Sequence, residues 1–124
     1  MLALFLRWFL ALAMTAVGIL HFTDPGPFVR IVPPFLPNPL ALVYISGVFE
    51  ILGGVGLVVP IAVTQRFAAY GLVALFIAVF PANIYMAMAN LPLGDKVMPQ
   101  WALWARLPLQ GVLVAWAWYL ARVP

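Results

Sequence analysis

A few polar side chains lie inside long apolar stretches of this chain, and they are the ones able to do chemistry: His21, Glu50, Asn83, Arg106 and Gln110. Arg106 and Gln110 are one helical turn apart and share a helix face. Ser46, Glu50 and Gly54 recur at every fourth residue, bordered by Gly47 and Gly53. Helices in lipid approach each other along such small-residue stripes, so Glu50 is expected to point at protein rather than at lipid. Its expected partner is Arg106, the other charge set well inside an apolar stretch, because a lone buried charge is costly. The competing reading makes that pair a staple that only fixes helix order.

Two prolines stand beside these groups, Pro81 just before Asn83 and Pro108 between Arg106 and Gln110. A proline within a helix removes one hydrogen bond and frees the carbonyl four residues earlier, here those of Ile77 and Trp104. Broken helices next to polar groups point to a cavity, since bent backbone in a membrane must line protein or water. His21 sits near the end of its stretch, with Gly18 one turn earlier on the same face. Alone it reads as an interfacial hydrogen-bonding group. One histidine and one or two carboxylates supply too few donors for a metal, and a second strong axial ligand for haem is missing. No nucleophile triad, phosphate-binding glycine loop or nucleotide motif is present.

The elements that must position these residues follow from composition. Of the 124 residues, 67% are hydrophobic and 7% charged, and the mean hydropathy is +1.14. Soluble domains are about 45–50% apolar and about 25% charged, so lipid is the natural solvent for this chain. Crossing a ~30 Å hydrocarbon core takes about 20 residues at about 1.5 Å each. Apolar stretches at about 2–22, 40–59, 66–89 and 101–121 therefore predict a single all-α integral membrane domain over 1–124. Its expected form is an antiparallel bundle of four transmembrane helices. The first stretch is too long for a typical signal-peptide core, although Ala11 and Ala13 resemble a cleavage site. In an antiparallel order all five polar residues fall in the outer half of the bilayer.

The segment from Thr23 to Pro39, between the first two spans, carries Pro25, Pro27, Pro33, Pro34, Pro37 and Pro39 among apolar residues. It is both greasy and helix-breaking, so it is expected to lie irregularly across the outer face, either as a cap over a cavity or as a plain connector. The net charge of +3 comes from dispersed basic residues without a phosphate-tracking cluster, which argues against nucleic acid. Arg7, Arg66 and Arg122 on one side against Arg30 and Lys96, accompanied by Asp24 and Asp95, on the other predict that both termini are cytoplasmic. Trp8, Trp101, Trp104, Trp116, Trp118 and Tyr119 lie near span ends and read as interfacial belts. Cysteine is absent, which excludes disulfides and dithiol chemistry within the chain.

His21-Phe22, the proline segment, the Ser46–Gly54 stripe followed by Pro60, Phe80-Pro81-Ala82-Asn83-Ile84 and Arg106-Leu107-Pro108-Leu109-Gln110 together resemble the DoxX-like small membrane proteins. The resemblance spans nearly the whole chain and implies a four-helix membrane bundle. It also implies association with thiosulfate:quinone oxidoreductase complexes or redox-stress assemblies of a bacterial or archaeal inner membrane. Related proteins that shuttle disulfides use paired cysteines, so that activity does not carry over. The resulting expectation is a quinone- or small-molecule-binding accessory of a membrane redox system, with a membrane redox protein or a second copy of the chain as partner. Its polar centre would be Glu50 and Arg106, with Asn83, Gln110 and His21 around it. The rivals are a small proton-coupled transporter gated by Glu50 and a purely structural subunit. A transporter requires alternating water access to Glu50, a binding protein an apolar pocket open to lipid, and a structural subunit a filled, dry core.

Overall fold

The structure is a computed structural model that describes residues 1–30, 32–89 and 100–123. All regular structure among them is helical: α1 (Leu2–Thr23), α2 (Gly26–Arg30), α3 (Pro39–Val58), α4 (Ala62–Ala78), α5 (Phe80–Ala89) and α6 (Gln100–Arg122). The four-helix expectation is corrected in two ways. The third stretch is two helices, α4 and α5, which meet at Val79, and it begins earlier than expected, at Ala62. Moreover, only three segments among the described residues are long and apolar enough to cross a membrane: Leu2–Thr23, Pro39–Val58 and Ala62–Tyr85. These mark the chain as a membrane protein. α6 is as long as the others but does not qualify, because Arg106, Gln110, Pro108 and its tryptophans dilute its apolar character. The helix runs through Pro108 without interruption, so of the two expected proline breaks only the one at Pro81 interrupts a helix.

The proline segment is not wholly irregular, since Gly26–Arg30 forms the single turn of α2. Asn38, with φ 48, turns the chain into α3, and Pro39 occupies its first position. Asparagine tolerates this left-handed conformation, and proline at a helix start gives up only an N–H that would lack an intrahelical partner. Asp95 and Lys96, which entered the charge comparison across the membrane, lie outside the described residues.

α1 packs on α3, α3 also packs on α4, and α4 on α6, the α1–α3 contact being the most extensive. The small-residue stripe of α3 works on two faces. A Cβ on Gly47 would stand 3.1 Å from the Gly18 carbonyl oxygen, and one on Gly54 would stand 2.8 Å from the Ala11 carbonyl oxygen. Gly53 and Gly56 instead receive Leu72 and Ala68 of α4. Leu10, Ala11, Met14, Leu57, Ala69, Leu72, Phe76, Ala117, Leu120 and Ala121 form one buried core. Phe9 stacks on Trp116 at 5.6 Å, and Tyr70 meets Trp118 edge-on at 5.6 Å. The start of α1, the start of α4 and the end of α6 therefore lie together at one end of the molecule.

Two residues at this end differ from their expected surface roles. Arg7 is buried, and its Nη1 donates to the Leu57 carbonyl at 3.3 Å. That carbonyl lies in the last turn of α3, where backbone acceptors run out of intrahelical donors and the helix dipole favours a cation. Trp116 belongs to no exposed belt, because its Nε1 donates to the Leu6 carbonyl at 3.2 Å. Trp8, Trp101, Trp104, Trp118 and Tyr119 do face outward.

The backbone approach of α1 and α3 generates the first prediction. Gly54→Ala should lower stability by about 1–3 kcal/mol, because its methyl group meets backbone that cannot yield like a side chain. Gly71→Ala and Gly111→Ala, where an added Cβ meets nothing within 4 Å, should hold or raise it. Thermal unfolding of the three variants in one detergent checks the contrast, and equal losses would refute it.

Candidate functional site

Away from the termini, the five polar residues singled out from the sequence line one cavity of about 670 Å³. α1 brings His21, α3 brings Glu50, α5 brings Asn83, and α6 brings Arg106 and Gln110. Met14 and Phe76 belong both to the dry core and to the cavity wall, so the cavity begins where the core ends. The proline segment contributes Pro27, Phe28, Val32, Pro33, Phe35 and Leu36 to the wall. Of the two roles open to this segment, it takes that of a cavity lining. The rim includes Phe35, Ile45 and Phe49, which are apolar and exposed.

The polar residues form two groups. In the first, Arg106 Nη2 donates to Asn83 Oδ1 over a long 3.5 Å, Asn83 Nδ2 donates to Gln110 Oε1 at 3.1 Å, and Gln110 Nε2 donates to the Phe76 carbonyl at 2.8 Å. The direction of this relay is dictated at both ends, since a guanidinium can only donate and a backbone carbonyl can only accept. Both amides are thereby held in one orientation. The acceptor at its end lies in the last turn of α4, just before the break at Val79. The Ile77 carbonyl, the one that Pro81 is expected to free, accepts from the Val79 N–H, and the side-chain donor goes to Phe76 instead.

In the second group, His21 Nδ1 lies 2.8 Å from the Val17 carbonyl and 3.2 Å from Glu50 Oε2. A carbonyl only accepts, so Nδ1 carries the proton and aims it at Val17. Glu50 Oε2 lies off the N–H direction, so this close approach is not a hydrogen bond. It is a buried oxygen without a hydrogen-bond donor among the described residues. The expected direct pairing of Glu50 with Arg106 is therefore replaced: Glu50 adjoins His21, and Arg106 is engaged by Asn83. Glycine makes the first contact possible. Gly47 would place a Cβ 2.8 Å from the His21 Cβ, so any side chain there would push α1 and its histidine away.

Phe28 of α2 stacks on the imidazole with ring centroids 3.9 Å apart and planes inclined by 21°. No periodicity in the sequence links the single-turn α2 to a ring on α1, so this contact is visible only in the tertiary structure. Beside this, Phe22 stacks on Tyr44 at 5.1 Å, closing the α1–α3 contact at the same end. The arrangement thus offers an unsatisfied carboxylate oxygen, a partly engaged guanidinium and two oriented amides on an otherwise apolar wall. It can hold a polar head by hydrogen bonds and an apolar body by contact. Among the described residues no cluster of metal-binding side chains occurs.

Searches of curated proteins and of solved structures found no match to the chain. One family model, described as "Domain of unknown function (DUF8561)", matches residues 10–121. This match overturns the resemblance to the DoxX-like proteins. The motifs behind that resemblance, namely glycine stripes, membrane prolines and sparse polar residues, meet needs common to many small helical membrane proteins. With a match over most of its length, the chain belongs to the DUF8561 family.

Proposed function

We propose that this membrane protein binds a small amphipathic molecule in the cavity lined by His21, Glu50, Asn83, Arg106 and Gln110. The observation that carries the reading is their convergence on one largely apolar cavity of about 670 Å³ with an exposed apolar rim. Ligand cavities commonly measure about 300–1,000 Å³ and combine apolar walls with a few placed polar groups. A structural staple would leave a filled interior, whereas here the core stops at Met14 and Phe76. The quinone and the redox partner entered through the DoxX resemblance, and without it the reading stops at a small amphiphile. A proton-coupled carrier would use the same cavity but would need water to reach Glu50 from both membrane faces in turn.

We further propose that both termini face the cytoplasm. The start of α1 and the end of α6 share one end of the molecule, with Arg66 and Arg122 near it, against Arg30 of α2 beyond the other end of α1. Arg7 carries less weight in this than its sequence position implies, because it is buried against α3.

The double variant Glu50→Met with Arg106→Met tests the binding reading. Removing Glu50 breaks no hydrogen bond and removing Arg106 breaks only the long contact to Asn83, so the protein should remain folded, with stability lowered by no more than about 1–3 kcal/mol. Mass spectrometry of solvent extracts from protein in native-lipid particles should detect a small molecule enriched with the wild type and lost from the double variant. Equal extracts from both proteins would overturn the reading.

A companion variant separates architecture from binding. Gln110→Leu removes the donor to Phe76 and the acceptor for Asn83. It should lower stability by about 1–3 kcal/mol, the range for a buried polar group left without a partner. Glu50→Gln should instead hold or raise stability while weakening binding, because the Oε2 it alters has no donor. Thermal unfolding of the two variants side by side checks the opposite signs.

A further inference from the structure

We infer that the molecule held in this cavity is a net-neutral amphiphile whose head presents a hydrogen-bond donor to Glu50 and an acceptor to Arg106. The inference rests on the binding reading above and specifies the head group. Glu50 is 9% exposed, its Oε2 lacks a donor, and it lines the cavity. A buried carboxylate oxygen of this kind calls for an O–H or N–H from whatever occupies the space beside it. Arg106 lines the same cavity and gives Nη2 to Asn83 over 3.5 Å. A guanidinium carries five N–H donors, so most of them have no protein acceptor among the described residues. The two demands are chemically opposite and belong to one cavity.

Charge balance narrows the head further. With the His21 imidazole neutral, ionised Glu50 and Arg106 are opposite in sign and sum to zero within a low-dielectric space. A ligand with its own net charge would leave an excess there, which membrane interiors penalise. A fatty acid satisfies Arg106 and repels Glu50; an alkylammonium does the reverse. A neutral head carrying both hydroxyl and carbonyl groups meets both needs. The apolar rim of Phe35, Ile45 and Phe49 suits an alkyl or isoprenoid body entering from the bilayer.

The test uses the full chain in lipid nanodiscs and three probes of equal chain length, compared at equal mole fraction in the bilayer. 1-Decanoylglycerol carries donors and an acceptor, methyl decanoate an acceptor only, and decylammonium donors only. We expect 1-decanoylglycerol to bind at least about tenfold more tightly than either of the others, the factor set by one unmet hydrogen bond. Glu50→Met should erase its advantage over methyl decanoate, and Arg106→Met its advantage over decylammonium. The comparison of probes on the wild type stands even if a variant does not fold. If methyl decanoate or decylammonium binds the wild type as tightly as 1-decanoylglycerol, the inference about the head is overturned and the cavity reading survives. If no probe binds the wild type, both are overturned.

Discussion

Lipid offers no hydrogen-bond donors, so every backbone carbonyl left open at a helix end needs a donor from the protein itself. The bond from Gln110 to the Phe76 carbonyl answers that need at the one place where a candidate span is broken. Much else depends on it. It ties α6 to the end of α4, it orients Gln110 so that its oxygen accepts from Asn83, and through Asn83 it engages Arg106. Arg7 at the Leu57 carbonyl and Trp116 at the Leu6 carbonyl meet backbone acceptors at the opposite end of the molecule. Several of the polar side chains that look functional in an apolar sequence thus serve the backbone first.

This division explains the gradient from one end of the protein to the other. Near the termini, polar donors are consumed by carbonyls and the space between helices is filled with leucine, alanine and methionine. Towards the other end, the break at Val79 and the proline segment prevent continuous helix packing, and a cavity remains. The glycine contacts of α1 with α3 hold His21 and Glu50 together on one pair of helices. The amide relay holds Asn83, Arg106 and Gln110 on another. Neither group satisfies the other directly, and that is why the cavity retains chemical demand.

Membrane character was legible from composition alone, since 67% hydrophobic residues in long runs leave no soluble alternative. The polar residues of the cavity were legible too, because charges and amides stand out against lipid-facing sequence and each needs protein around it. Tertiary packing then brings them to one cavity. Helix number was harder to read. A proline in an apolar run can bend a helix, end it or be accommodated, and Pro81 and Pro108 took different courses although their sequence settings look alike. The tryptophans hid a further ambiguity, since Trp116 and its outward-facing neighbours differ in partner and not in type.

What the sequence by itself determined is therefore solvent and inventory: a lipid environment, helices as its regular structure, and a short set of polar groups that cannot face hydrocarbon. Only the tertiary structure decided who partners whom. Glu50 adjoins His21 instead of Arg106 because the glycines let α1 lie against α3, while Asn83, across the α5–α6 contact, reaches the guanidinium. Such choices turn on a few ångströms between helices far apart in the chain. Periodicity reports which face a residue occupies; only the packing of one face against another selects the atom it meets.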